Sequence, residues 1–101
     1  MYKSDISPMA EEVLQQYVMS ACMEYGEATA HEIIDAYEEN LSLLEDNPYV
    51  GCGRFRYIPK KYKTFPLWKH LWFVFQIYED DKIIKIEYII DDRQNYGLFI
   101  V

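Results

Sequence analysis

The hydrophobic positions are densest between Leu71 and Asp91, in LWFVFQIYEDDKIIKIEYIID. Two runs of β-branched and aromatic residues flank the polar tip Glu79-Asp80-Asp81-Lys82, which is the signature of a β-hairpin. With Asp80 and Asp81 as the loop, Ile77 falls opposite Ile84, Phe75 opposite Ile86, Phe73 opposite Tyr88 and Leu71 opposite Ile90. Side chains alternate along a strand, so these residues share one almost wholly apolar face. Trp72 with Ile89, Val74 with Glu87, Gln76 with Lys85 and Tyr78 with Ile83 make a mixed second face. A slip of one residue would turn the apolar set outward, so the pairing is well specified.

The first half of the chain supplies a cover for that apolar face. Tyr2 to Ile6 reads as a short strand. Ser7-Pro8 then starts a helix, because serine caps free backbone amides and proline is tolerated in the first turn. Ala10, Val13, Leu14, Tyr17, Val18, Ala21 and Tyr25 recur at helical spacing, and Gly26 stops a helix running from Pro8 to Tyr25. Thr29 and Glu32 have the spacing of a capping box for a second helix, Ala30 to Asp46, whose stripe is Ile33, Ile34, Tyr37, Leu41 and Leu44. Asn47-Pro48 ends it, since the residue before proline disfavours helical backbone. The short gap between the helices predicts an antiparallel pair.

Tyr49 to Gly53 reads as loop and Arg54 to Ile58 as a strand, while Lys60 to Lys69 is ambiguous around Pro59 and Pro66. After the hairpin, residues 91–97 form a polar break, and the apolar Leu98-Phe99-Ile100-Val101 is expected to dock on the body of the domain. The order strand, helix, helix, strand, hairpin predicts one α+β domain over residues 1–101: an N-terminal strand and an antiparallel helix hairpin packed on a mainly antiparallel three- to four-stranded sheet.

Charge adds an asymmetry to this picture. The net charge is −7. Met1 to Pro48 holds eleven acids and only Lys3 as a base, whereas Asn47 to Tyr78 holds no acid at all. Arg54, Arg56, Lys60, Lys61, Lys63 and Lys69 fall in that second stretch, which predicts a locally positive field on an acidic protein. Cys22 and Cys52 are too few for a disulfide scaffold and read as free thiols, and no Cys/His spacing matches a zinc site. No segment is long and apolar enough to span a membrane, and MYKSDISPMAEE lacks the apolar core of a signal peptide, so a cytoplasmic location is expected.

The order of these pieces resembles the RelE/ParE superfamily of type II toxin–antitoxin toxins over nearly the whole length. The resemblance lies in the helix start Ile6-Ser7-Pro8-Met9-Ala10-Glu11, the helix end Leu43-Leu44-Glu45-Asp46-Asn47-Pro48, the hydrophobic hairpin Trp72 to Ile90, and the polar segment Asp91-Asp92-Arg93-Gln94-Asn95-Tyr96. It implies a growth-inhibiting toxin of the plasmid-stabilisation type, whose sheet and helix pair are bound by a cognate antitoxin. The implied target is the translating ribosome with its messenger RNA by the RelE-like route, or DNA gyrase by the ParE-like route. No cofactor or metal is implied. Tyr62-Lys63 stands where many members carry Tyr-Arg, and ribosome-dependent members are usually basic where this chain is acidic. A non-toxic protein-binding module on the same fold, or an unrelated α+β domain, are the alternative readings.

RNA cleavage of the RelE type transfers a phosphate to the adjacent 2′-hydroxyl. It needs a proton acceptor, cations on the phosphate and a donor for the leaving oxygen. By resemblance Arg93 and Tyr96 match the arginine and tyrosine after the last main strand of RNA-cleaving members. Lys61 and Lys63 are the accompanying catalytic cations. Arg54, Arg56, Lys60, Lys69, His70 and Trp72 are the expected nucleic-acid or antitoxin contacts, since cations interleaved with aromatics suit both phosphate and base stacking. Histidine is a side-chain type whose free form suits proton transfer near neutral pH, and His70 is the one near this stretch, with no Asp or Ser partner evident in the sequence. Each of these residues also has a plain structural reading: Arg93 as the ion-pair partner of Asp91 or Asp92, Tyr96 as packing, the lysines as solvated charge. Arg54, Arg56, Lys61, Lys63 and Arg93 are expected to converge on one face.

Overall fold

A computed structural model describes residues 1–53 and 55–93. Strands β1 (Lys3–Ile6), β2 (Lys63–Trp68), β3 (Leu71–Tyr78) and β4 (Ile83–Asp91) form one sheet in the order β1-β4-β3-β2. The β2–β3 and β3–β4 pairs are antiparallel, and β1 runs parallel to β4. Helices α1 (Pro8–Tyr25) and α2 (Glu27–Asp46) lie on one face of the sheet. This is the expected α+β architecture, with a mixed sheet.

Ser7 explains how the first strand turns into the first helix. Its hydroxyl accepts from the Ala10 amide at 3.0 Å, capping α1, and donates to the Glu87 carbonyl at 2.6 Å. Its own amide donates to the Ile86 carbonyl at 2.9 Å. One residue therefore caps the helix and ties it to the far strand.

The hairpin register follows the sequence pattern from Tyr78↔Ile83 to Phe75↔Ile86 and then shifts. A bulge at Glu87 places Val74 opposite Tyr88, Phe73 opposite Ile89, Trp72 opposite Ile90 and Leu71 opposite Asp91. An extra residue in one strand flips every later side chain to the other face. Ile89 thus joins the helix-side core with Phe73, Phe75, Ile84, Ile86, Leu67 and Leu44, where the sequence placed Tyr88. Tyr88 and Ile90 turn to the outer face beside Trp72 and Val74.

Beyond the bulge that outer face is consequently apolar, while the expected mixed pairs Gln76–Lys85 and Tyr78–Ile83 remain toward the tip, and the apolar part needs a cover. The segment 55–62 supplies it. Phe55 packs edge-on against Trp72 with ring centroids 5.1 Å apart, and Tyr62 meets Tyr88 in the same way at 5.8 Å. The strand expected over Arg54 to Ile58 is not formed: Arg54 lies outside the described residues, and the rest runs as turns closed by Ile58 N–H to Phe55 O and Tyr62 N–H to Pro59 O. The second strand is instead β2, in the stretch that read as ambiguous. Pro66 is tolerated there because β2 is an edge of the sheet.

The expected capping box is also not formed. Gly26, at φ +97°, closes α1 and starts α2 by itself, so Glu27 rather than Ala30 opens the helix and Thr29 lies inside its first turn. Only glycine adopts that backbone without penalty, which permits a one-residue joint. The tail 98–101 falls outside the described residues. Among those described, no helix is long and apolar enough to cross a membrane, and both cysteines are exposed and unbonded.

Candidate functional site

The bulge decides what happens at the open end of the hairpin. It brings Asp91 opposite Leu71 on the helix side, where the carboxylate is buried to 2 % exposure. The Tyr17 hydroxyl of α1 donates to it at 2.8 Å, and Arg93 grips it through Nε at 3.0 Å, Nη2 at 2.6 Å and its backbone N–H at 2.9 Å. The guanidinium holds the Asp91 carboxyl far below the usual range and is itself pushed up by the same carboxylate. Two of the five guanidinium N–H groups bond Asp91, and the other three, on an exposed side chain, bond nothing among the described residues.

The next residue builds a second arrangement. The Trp72 indole N–H donates to Asp92 Oδ2 at 3.0 Å, and His70 Nδ1 lies 2.9 Å from Asp92 Oδ1. The Asp92 amide also donates to the His70 carbonyl at 2.8 Å, so the turn and the strand end are joined by backbone as well. The indole N–H, more than the imidazole, lowers the Asp92 pKa. An ionised carboxylate only accepts, so the proton between the two belongs to His70 Nδ1 and the lone pair of neutral imidazole to Nε2.

Of these side chains Tyr17, His70 and Arg93 edge a groove of about 580 Å³ between the β2–β3 turn and the helices. Trp68, Lys69, His70 and Arg93 line one wall; Tyr17, Glu24 and Tyr25 of α1 and Ile33 of α2 line the other. Lys69 has the positive φ of +46° that closes the tight turn, and its ammonium sits 4.5 Å from the centre of the Trp68 ring.

The expected basic residues are divided between the two sides of the sheet. Arg56 and Lys60 edge a separate pocket of about 280 Å³ on the outer face, with Phe55, Ile58, Tyr62 and Thr64. Lys61 lies over the Tyr62 ring at 5.1 Å, and Lys63 opens β2 opposite Phe75. The expected convergence on one face therefore fails: segment 55–62 is drawn over the outer apolar cluster, while Arg93 is drawn to Asp91 on the helix side. Trp72 is buried in that outer cluster at 7 % exposure and is not open for stacking. Trp68 is the tryptophan that borders the groove. Arg54 and Tyr96 lie outside the described residues.

The positive field expected of the acid-free stretch is also offset. In space Lys69 and Arg93 stand with Asp91, Asp92 and Glu24, so the groove is close to neutral. Sequence reasoning missed Tyr17 and the partner of His70. The predicted hairpin register already set His70 beside the end of β4, and the bulge selects Asp92.

The opposite end of the hairpin is built on a carboxylate as well. Glu79 Oε2 accepts from Tyr2 at 2.7 Å and Tyr49 at 2.6 Å, and Oε1 pairs with Lys82. Lys82, first, and the two tyrosines bring the Glu79 pKa down to about 2, and the bond to Glu79 raises Tyr49 to about 12. Among the described residues no group of three or more His, Cys, Asp or Glu stands where it could hold a metal ion.

No family model matches the chain, and no curated protein matches its sequence. A solved chain from the structure described as the chromosomal ParDE TA system from P. aeruginosa does match, with a TM-score of 0.72 over 90 % of this chain and 96 % of that one. The two share one fold. Their sequences are 20 % identical, and the α+β fold expected from the RelE/ParE resemblance is the one observed.

Proposed function

We propose that this chain is the toxin component of a type II toxin–antitoxin pair, neutralised by a cognate antitoxin protein. The observation that carries this reading is the shared fold, which extends over nearly all of both chains in the ParDE comparison. The target we favour is messenger RNA on the translating ribosome. The support is local: one groove gathers Arg93 with three open donors, Lys69, a carboxylate-bound His70 and the aromatic rings of Trp68, Tyr17 and Tyr25. Guanidinium and ammonium groups suit phosphate, and aromatic faces suit unstacked bases. A volume of about 580 Å³ lies within the ordinary range for a small-molecule site.

A second reading has its own support. The neighbour is described as a ParDE system, which favours the ParE-like route to DNA gyrase. Expression of the chain alone, with translation and plasmid supercoiling followed in parallel, separates the two. Growth arrest in which protein synthesis stops first, relieved by the antitoxin, is the expected result. Loss of supercoiling first points to gyrase. Unimpaired growth sinks the toxin reading and leaves a non-toxic binding module on this fold.

A further inference from the structure

We propose that His70 is the proton-transfer group of this groove, a catalytic base held in place by Asp92 and Trp72, acting on a single-stranded RNA phosphodiester. The inference rests on the RNA-directed reading above and names residues that the resemblance does not supply.

Three features carry it. The first is orientation: Asp92 is fixed on one oxygen by the indole N–H of a buried tryptophan at 3.0 Å, and its other oxygen meets His70 Nδ1 at 2.9 Å. A carboxylate on Nδ1 sets the tautomer with Nε2 unprotonated and stabilises the imidazolium that forms when Nε2 takes a proton. The second is access. The His70 side chain is about half exposed and borders the groove, whereas a histidine serving only the core would be covered. The third is company. Arg93, immobilised on Asp91 and Tyr17, keeps donors for phosphate oxygens, and Lys69 stands next to His70 in the same turn. The charged and titratable groups around His70 are Asp92 and Arg93 after β4, Lys69 in its own turn, and Glu24, Tyr17 and Tyr25 across the groove on α1.

The step balances without a metal. His70 Nε2 takes the proton of the ribose 2′-hydroxyl, and the 2′ oxygen forms a bond to phosphorus. The P–O5′ bond breaks with its electron pair going to the 5′ oxygen, which takes a proton from the Lys69 ammonium. The imidazolium returns its proton through solvent to the Lys69 amine. The products are a 2′,3′-cyclic phosphate and a 5′-hydroxyl end. Asp92 and Trp72 touch no substrate in this scheme and are positioning residues.

The test uses the purified chain and a short messenger, presented free and on purified translating ribosomes. Cleavage is expected in at least one of the two, with a 2′,3′-cyclic phosphate product, and none where a 2′-deoxy nucleotide occupies the cut site. His70→Ala should slow cleavage roughly 10²- to 10⁴-fold, the usual worth of a general base, with an unchanged melting temperature and partial rescue by added imidazole. Asp92→Asn removes a negative charge beside the ring and so lowers its proton affinity. The acid limb of the pH–rate profile should then move to lower pH, which a purely structural role would not produce. Cleavage by His70→Ala at the parent rate overturns the inference and leaves the RNA-directed reading standing. Cutting of the deoxy message overturns the chemistry. Growth arrest without any RNA cleavage overturns both this inference and the RNA target, while the toxin reading survives.

Discussion

At the tip of the β3–β4 hairpin, one carboxylate takes Tyr2 and Tyr49 on one oxygen and Lys82 on the other. At the open end two carboxylates, Asp91 and Asp92, each hold a side chain that is itself unfinished: Arg93 retains three donors and His70 retains Nε2. The chemistry of the residues is similar, and the difference lies in where the network stops. At the tip the Tyr2 and Tyr49 hydroxyls and the Lys82 ammonium all point inward to Glu79, tying β1 and the 3₁₀ turn Pro48–Val50 to the hairpin. At the open end the same kind of pairing presents fixed donors to a groove. A set of polar contacts that closes on itself holds a fold together, and one that ends on a cavity wall prepares a site.

The largest expected effect strikes both ends at once. Phe75 is fully buried between them, and Phe75→Ala should cost about 3–5 kcal/mol through lost burial and the cavity left behind. Chemical denaturation measures it, and a midpoint equal to the parent's would remove Phe75 from the core. Next comes a paired substitution. Tyr17→Phe takes a hydrogen bond from a buried, ionised carboxylate and should cost about 1.5–3 kcal/mol. Tyr49→Phe removes a bond of similar length at the exposed tip and should cost clearly less, because water takes its place. Equal losses would erase the distinction drawn between the ends.

The third test is acid. Glu79, Asp91 and Asp92 all bind a proton less readily in the folded chain than in the unfolded one. Their contribution is therefore complete above the ordinary carboxylate range and fades as pH falls. For Glu79 the window runs from near 4.5 down to about 2. Stability followed from pH 7 to pH 2 should drop less steeply in Glu79→Gln than in the parent. The residual slope should come from the open end. Parallel curves for parent and variant would show that the tip network contributes nothing.

The smallest effect concerns two lysines with left-handed backbone, Lys69 at φ +46° and Lys82 at φ +54°. Lys69→Gly relieves strain at the open end and should raise stability by less than about 1 kcal/mol. Lys82→Gly relieves the same strain but also breaks the Glu79 pair, so its midpoint should rise less or fall. A larger gain at Lys82 would deny the tip its stabilising role.

Much of this architecture was legible in the sequence, and the misses share a cause. The bounds of α1 and four consecutive pairs of the hairpin follow from local spacing and from Ser7, Pro8 and Gly26. The bulge does not, because Tyr88-Ile89-Ile90 are all apolar and alternation cannot say which of them faces the helices. A contact from a distant serine to Glu87 accompanies the shift. The strand expected over Arg54 to Ile58 failed for a related reason, since its alternating pattern also fits turns laid over an apolar face. For the site, Arg93 and Asp91 were readable as neighbours in sequence. The pair formed by His70 and Asp92 was not, because it joins residues 22 apart and the unshifted register sets His70 opposite Asp91 instead.

The bond between Ser7 and Glu87 spans 80 residues and sits where β1 lies beside β4. At a synthesis rate of roughly 5–20 residues per second, Ser7 waits roughly 4–16 s for its partner to be made. Both helices precede β3 and β4 in the chain, so until those strands are made the apolar sides of α1 and α2 have no β3–β4 face to receive them. Covering them depends on contacts distant in sequence, and closure over such distances slows folding. The strand that ends the wait also carries Asp91 and leads directly into Asp92 and Arg93. Birth of the groove and completion of the sheet are thus one event, and a chain stopped short of β4 lacks the wall that Arg93 supplies.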